Sequence, residues 1–494
     1  MATRRYVLSV DQGTTSSRAT VLDAKLQVRG TGQKEFTQHF PKPGWVEHDL
    51  MEIWETTEWC IAKALREAGI KASELAAIGI TNQRETTGLW HRGTGKPIHK
   101  AIVWQDRRTS AFCGELKAHG HEQLVRDTTG LVLDPYFSGT KVKWLLDNVK
   151  TARDRGEAGE LAFGTIDTWL VYKMTGGAAH VTDVSNASRT MLMNLRTLEW
   201  DDAMLQLLDV PRSVLPRIGA SAEVYGMTRG MKSLPDGIPV SGMAGDQQAA
   251  LFGQACFSPG ESKCTYGTGA FLLMNVGETP VASKAGLLTT VGWKLDGKTT
   301  YALEGSSFIA GAAVQWLRDG LGLIKKASEI EALAKTVKST GPVVFVPALA
   351  GLGAPHWRPD ARGLFAGIDR GTTRGHLARA VLEGIALQIQ DLAEAMKLDS
   401  GRDIPAFKVD GGAVKNDLLM QYQADILGTN VVRPKNVETT SLGAAFLGGL
   451  GVGFWKSPDD VRRVWKADKV FKPKMSEGDR AQHLGKWREA VKRA

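Results

Sequence analysis

The sequence predicts an α/β fold of two similarly built domains, and three observations lead there. Short apolar runs alternate with stretches of helical periodicity along the chain, as in layered strands and helices. Two strand–turn–strand units of one shape, each with a Gly/Thr turn, stand about half the chain apart, near residues 13 and 267. Glycine accounts for 55 of the 494 residues, roughly 11% where about 7% is usual, so many turns and close approaches are shaped by bare backbone. A chain of 494 residues suits two to four domains, and the boundary is placed near residues 252–259, giving domains 1–252 and 253–494. A hydrophobic fraction of 43% with 23% charged residues is that of a chain with a large core and excludes a disordered one.

Residues 6–10 form an apolar run that reads as a buried strand, and Asp11-Gln12-Gly13-Thr14-Thr15-Ser16 follows as a turn. Further strands are expected over 19–22 and 26–32. Apolar residues at helical spacing predict a helix over 51–68 with Asp49 as its N-cap, and a strand follows over 75–81. The second unit opens at 262–266, turns through Gly267-Thr268-Gly269 and leaves along 270–276. Leu377, Val381, Ile385, Ile389, Leu392 and Met396 share one stripe of a helix over 376–397. A strand over 407–409 runs into Asp410-Gly411-Gly412 and then a helix over about 415–427. Residues 439–455 are uncharged and carry five glycines, the composition of a helix packed in the interior. The uncharged stretch 339–357 holds three prolines, which excludes a membrane helix there.

Of the net charge of +9, +6 falls within residues 456–494. A basic surface can meet nucleic acid, but acids are interleaved and no basic block forms. Leu484, Trp487 and Val491 lie at helical spacing with Lys486, Arg488, Lys492 and Arg493 around them, so a docked surface helix with no nucleic-acid partner is expected. The four cysteines are too scattered for a zinc motif and suit a reducing compartment. No signal segment precedes the first strand, so a cytoplasmic protein without a membrane span is expected.

Neither a P-loop nor a complete G-x-G-x-x-G occurs. The phosphate-binding candidates are the two Gly/Thr turns, where backbone N–H groups can approach closely and hydroxyls add donors. Asp11 could hold Mg²⁺ through water, since that ion keeps much of its hydration, and Arg18 could add charge. Asp410-Gly411-Gly412 would let a flat ligand lie against bare backbone; it serves equally as a plain strand–helix turn.

Taken together, Asp11 to Arg18, Tyr266-Gly267-Thr268-Gly269 and Asp410-Gly411-Gly412 resemble the phosphate and adenosine segments of the actin/Hsp70/hexokinase superfamily. Further segments narrow the resemblance to the FGGY carbohydrate kinases, and among them to those acting on glycerol. These are Gly44-Trp45-Val46-Glu47-His48-Asp49, Thr81-Asn82-Gln83-Arg84-Glu85-Thr86, Gly164-Thr165-Ile166-Asp167-Thr168-Trp169-Leu170 and Gly245-Asp246-Gln247-Gln248. The resemblance runs over essentially the whole chain. It implies two actin-like ATPase (ribonuclease H-like) domains with an active-site cleft between them, and in-line phosphoryl transfer from ATP to glycerol.

By the same resemblance, Arg84, Glu85, Tyr136, Asp246 and Gln247 bind glycerol, with Trp104 and Phe271 as an apolar wall. A charged Arg–Glu pair suits a triol, because it donates to one hydroxyl and accepts from another. Asp246 is implied as general base; it could equally cap a helix starting near Gln247, and the two roles are compatible. Thr14, Thr15, Ser16, Arg18, Thr268, Gly311, Gln315, Gly412 and Asn416 are implied for the nucleotide, Asn416 also being a natural helix-start residue. Asp11 and Asp246 are the implied Mg²⁺ residues. A homo-oligomer, dimer or tetramer, is expected. Many bacterial members carry an arginine that binds fructose 1,6-bisphosphate where this chain has Gly237, and others a phosphorylatable histidine. No histidine lies between His180 and His356 here, so neither control device is expected.

Overall fold

The computed structural model describes residues 4–494. Two large mixed sheets dominate it. The first contains β1 (Tyr6–Gln12), β2 (Ser16–Asp23), β3 (Val28–Glu35), β4 (Leu75–Asn82), β5 (Ala222–Met227) and β6 (Pro239–Gly245), in the spatial order β5-β6-β4-β1-β2-β3. The second contains β7 (Ser262–Tyr266), β8 (Ala270–Gly277), β9 (Leu288–Leu295), β10 (Lys298–Ser307), β11 (Phe407–Asp410), β12 (Val431–Pro434) and β13 (Ala467–Phe471), in the order β9-β10-β8-β7-β11-β12-β13.

Both sheets follow one plan. A hairpin, β1-β2 or β7-β8, extends antiparallel on one side, while its first strand pairs in parallel with a strand from much later in the chain, β4 or β11. A second parallel strand, β6 or β12, and an antiparallel edge strand, β5 or β13, complete each. Every residue of β4 is buried, as a parallel strand covered on both faces must be. Two α/β domains of shared design, the class read from the sequence, are what the chain forms.

The helices that frame these sheets are α1 (Leu50–Ala68), α2 (Asp246–Gly253), α3 (Gly311–Asp319), α4 (Arg374–Ser400), α5 (Asp417–Leu427), α6 (Thr439–Gly451) and α7 (Glu477–Arg493). Asp49 caps α1, accepting from the amides of Met51 and Glu52, which satisfies two donors that the helix cannot. Several ends differ from expectation. Asp11 lies inside β1, opposite Arg18 of β2, because the hairpin pairs almost to its turn. β3 begins only at Val28, since Leu26 turns at φ +61°. A 3₁₀ turn over Gly412–Lys415 precedes α5, and Asn416 caps that helix by accepting from the Leu419 amide.

Glycines decide how α6 sits. A Cβ on Gly443 would fall 1.8 Å from the carbonyl oxygen of Ala249 in α2, and one on Gly253 of α2 would fall 2.0 Å from that of Thr439. On the sheet side, a Cβ on Gly79 of β4 would lie 1.8 Å from the Ala444 oxygen, and one on Gly242 of β6 would lie 2.1 Å from the Gly448 nitrogen. A helix late in the chain is thus pressed backbone-to-backbone onto the first sheet. Leu442, Ala445, Phe446 and Leu447 of α6 share one apolar cluster with Val7, Ala77 and Ala244.

The end of the basic tail folds as α7, with Leu484, Trp487 and Val491 buried, after β13 has closed the edge of the second sheet. Trp487 is fully buried and its indole donates to Asp391 of α4 at 2.8 Å. Lys492 pairs with Glu489 of the tail itself and Arg488 with Glu394 of α4, so an interleaved acid and a neighbouring helix neutralise part of the surface. Among the described residues, no helix is long and apolar enough to cross a membrane.

Candidate active site

The first Gly/Thr turn is pinned from below. Gln83, just past β4, donates to Gln12 Oε1 and to the Gly13 carbonyl, both at 3.0 Å. Gln38 donates to the Thr14 carbonyl at 3.0 Å and meets His48 Nε2 at 2.7 Å. Trp104 donates its indole N–H to Thr14 Oγ1 at 3.0 Å and stands edge-on to Tyr136 at 5.6 Å. The turn therefore touches one residue of the expected polyol site, Trp104, and through it meets a second, Tyr136. Thr15 is exposed at its tip. Arg18 forms an ion pair with Glu438, just before α6, and donates to Gln33 at 3.0 Å. Burial pushes the Asp11 carboxyl up to about 6, against the pull of Arg18 and of the Ser441 hydroxyl at 3.1 Å.

Arg84 and Glu85 follow β4. Glu85 holds φ +60°, a left-handed conformation that costs an L-residue about 1–2 kcal/mol and persists where the surroundings enforce it. Arg84 spends both terminal nitrogens on Glu304 of β10, with Nη2 to Oε1 at 3.0 Å. Its Nε lies 3.3 Å from Asp246 Oδ1 and 3.7 Å from Glu85 Oε1, and Nη2 donates to the Tyr136 hydroxyl at 3.3 Å. Arg189 closes the group, donating from Nε to Glu85 Oε1 at 2.7 Å and from Nη2 to Glu304 Oε1 at 2.9 Å. None of these four charged residues is more than 3% exposed.

Their protonation follows from the donor count. Burial alone would raise Glu304, but Arg189 and Arg84 hold it down to about 2. Glu85 accepts one such bond and stays raised by burial, with Arg84 and Arg189 only partly offsetting it. Burial also works against the Arg84 charge, and Glu304 first, then Tyr136, Glu85 and Asp246, outweighs it.

Asp246 opens α2 rather than preceding it, so the helix starts one residue earlier than expected. Its Oδ1 accepts from the Gln247 amide at 2.7 Å, and its side chain is one-third exposed. Gln247 is held by the buried Lys263, which also donates to Thr265 at 2.8 Å. Phe271 lies on β8 opposite Thr265 and packs on the apolar cluster that α6 shares with the first sheet.

The second turn lines a cavity of about 470 Å³. Thr268, Gly311, Gln315, Gly412 and Asn416 all line it, with Leu382 and Ile385 of α4 as an apolar side. The amides of Ala310 and Gly311, at the start of α3, donate to the Thr268 and Gly267 carbonyls at 2.9 Å. A Cβ on Gly411, at φ +91°, would fall 2.5 Å from the Tyr266 oxygen, whereas one on Gly412 would meet nothing within 4 Å. The first glycine lets β11 pass β7; the second leaves the cavity open. Among the described residues, no group of three or more His, Cys, Asp or Glu side chains gathers to hold a metal.

Sequence reasoning missed Arg189 and Glu304. Each left a trace. Arg189 is the lone charge in the stretch 184–195, and Glu304 is a carboxylate inside the apolar run of β10.

A pinned Gly/Thr turn, a second such turn over a cavity and a cluster of charged side chains beside the first are together the arrangement expected of a phosphotransferase. The chain belongs to the FGGY family of carbohydrate kinases, whose N-terminal domain matches residues 6–253 and whose C-terminal domain matches residues 262–452. It is an enzyme of the kinase class, similar along its whole length to glycerol kinases. That of Myxococcus xanthus is 71% identical over 496 residues, covering 100% of both chains. That of Deinococcus radiodurans is 60% identical, covering 100% of this chain and 98% of its own. The crystal structure of Plasmodium falciparum glycerol kinase with ADP superposes with a TM-score of 0.94 at 38% identity, over 100% of this chain and 99% of that one.

Proposed function

We propose that this enzyme transfers the terminal phosphoryl group of ATP to glycerol, giving sn-glycerol 3-phosphate. The observation that carries the reading is the cluster of buried Arg84 and Glu85 with the half-buried Tyr136 and Asp246, joined to the first turn through the Trp104–Thr14 bond. Such a cluster reads hydroxyls: the guanidinium donates, the carboxylates accept, and the Trp104–Tyr136 pair covers carbon. The adenosine lies in the cavity over Gly412, and the two Gly/Thr turns take the phosphates. Asp246 Oδ1 is engaged by the Gln247 amide and Arg84, which leaves Oδ2 to accept the proton of the attacking hydroxyl. Closure of the cleft excludes water, so that the polyol receives the phosphoryl group.

Asp11 and Asp246 suit Mg²⁺, being hard oxygen donors close enough for Asp246 to raise the Asp11 carboxyl. A cation beside Asp11 would offset the desolvation that raises its carboxyl and favour the ionised form. When bound, the ion neutralises charge on the transferring phosphate.

A coupled ATP-consumption assay over glycerol, xylitol and xylulose tests the substrate. Glycerol is expected to give the highest kcat/KM; preference for a five-carbon substrate, or ATP hydrolysis indifferent to glycerol, refutes the reading. Removing one partner of a buried charged group costs about 1–3 kcal/mol or more. Arg84→Ala is therefore expected to raise the KM for glycerol far more than that for ATP, and equal changes in both would unseat the assignment.

The loop 230–237 supports the absence of a bisphosphate site. Glu58 accepts from the Lys232 and Ser233 amides at 2.7 and 3.4 Å, and Asp236 accepts from the Gly230 amide at 2.8 Å. Carboxylates already hold the donors that an anion would need. Fructose 1,6-bisphosphate is expected to leave the rate unchanged, and strong inhibition abolished by Lys232→Ala would contradict this.

A further inference from the structure

Arg189 and Glu304 take no part in the reading above, yet they hold both members of the Arg84–Glu85 pair. We propose that they are positioning residues for the substrate. Glu304, arriving from the second sheet, fixes the guanidinium of Arg84, and Arg189 fixes the carboxylate of Glu85, so that the polyol site is complete only while the two sheets are docked. The inference rests on the polyol reading and adds to it the residues that set its geometry.

A guanidinium has five N–H donors in a rigid plane. Glu304 takes both terminal nitrogens of Arg84, a fork-on-fork pairing that fixes the plane. The Nε edge is thereby aimed between Asp246 at 3.3 Å and Glu85 at 3.7 Å, where a hydroxyl would be read. Arg189 does the same for Glu85 by occupying Oε1, which leaves Oε2 as acceptor. The backbone of Glu85 is held separately, its carbonyl accepting from Thr87 Oγ1 at 2.9 Å and Ser138 Oγ at 3.1 Å, so Arg189 sets the direction of the carboxylate on a chain already fixed.

The supports come from far away in the chain. Glu304 is 220 residues from Arg84 and 115 from Arg189. On β10 it stands opposite Leu273 of β8 and Leu288 of β9, surroundings in which a carboxylate persists only with its partners. The two guanidiniums and two carboxylates cancel, so these four buried side chains carry no net charge among themselves.

Glu304→Gln tests this, since it keeps the shape and removes the charge. The KM for glycerol is expected to rise at least about 10-fold while that for ATP moves less than about 3-fold. A stabilising role alone would be met by restoring charge balance, so the double variant Arg189→Gln with Glu304→Gln is measured beside it. Its melting temperature is expected to recover toward the native value while its KM for glycerol stays high. Equal rises in both KM values for the single variant, or return of the glycerol KM to native in the double variant, overturns the inference. Should the single variant fail to fold, the double variant decides by the same KM. A native enzyme that turns over no polyol defeats the substrate reading first, and this inference with it; a native enzyme active on glycerol beside variants of unchanged KM defeats this inference alone.

Discussion

Asp246→Asn is expected to lower kcat by at least about 10²-fold while leaving ATP binding largely intact. The asparagine keeps the side-chain shape and can still accept from the Gln247 amide, so α2 should start as before. What it loses is the basicity needed to take a proton from a primary alcohol as the P–O bond forms. A positioned general base contributes roughly 10²–10⁴-fold, about 2.7–5.4 kcal/mol at 1.36 kcal/mol per tenfold. A largely dissociative transfer would delay proton removal and place the effect near the lower end. The substitution also removes a charge 3.3 Å from Arg84 Nε, so some rise in the glycerol KM should accompany it. Single-turnover measurements with saturating glycerol separate the two, and a variant with near-native kcat would reduce Asp246 to an orienting group.

Gly443→Ala is expected to destabilise the whole protein, although it adds one methyl group to a helix. The new Cβ would lie 1.8 Å from the Ala249 oxygen and 2.5 Å from its carbonyl carbon. These are backbone atoms of α2 and cannot swing aside as a side chain would. Either α6 lifts from the first sheet or α2 shifts, and α2 carries Asp246 at its first position. Overpacking of this kind costs about 1–3 kcal/mol and more when the neighbour is rigid; 3 kcal/mol corresponds to roughly 6–12 °C of melting temperature in a domain of ordinary size. Gly485→Ala makes the same chemical change in α7, where a Cβ meets nothing within 4 Å. There the methyl should stabilise by about 0.5–1 kcal/mol through helix propensity. Melting curves showing both variants shifted alike would refute the packing argument.

The sequence was readable where structure is local. Asp49 before a periodic stretch announced α1 and its cap, and the paired Gly/Thr turns announced two domains of one plan. The glycines of 439–451 announced an interior helix, and the spacing of Leu484, Trp487 and Val491 announced how the tail would dock. What stayed hidden depends on contacts between distant residues. Glu304 and Arg84 are brought together only by the docking of two sheets, and no local spacing encodes such a pair. The left-handed turn at Glu85 was equally invisible, because glutamate carries no preference for it; its neighbours impose it. The Asp391 acceptor beneath Trp487 was hidden for the same reason, lying 96 residues earlier on α4.

The seat of α6 has a consequence for how the chain matures on the ribosome. The last strand of the first sheet ends at Gly245, and the helix that covers that sheet begins at Thr439, about 190 residues later. At roughly 5–20 residues per second, synthesis of the intervening stretch takes about 10–40 s. For that interval the nascent first half presents Gly79, Gly242 and the apolar residues Val7, Ala77 and Ala244 without their cover. Its early-made part therefore waits for its late-made part, and a nascent chain stalled before residue 439 should be protease-sensitive along β4 and β6 although every strand of that sheet has already been translated.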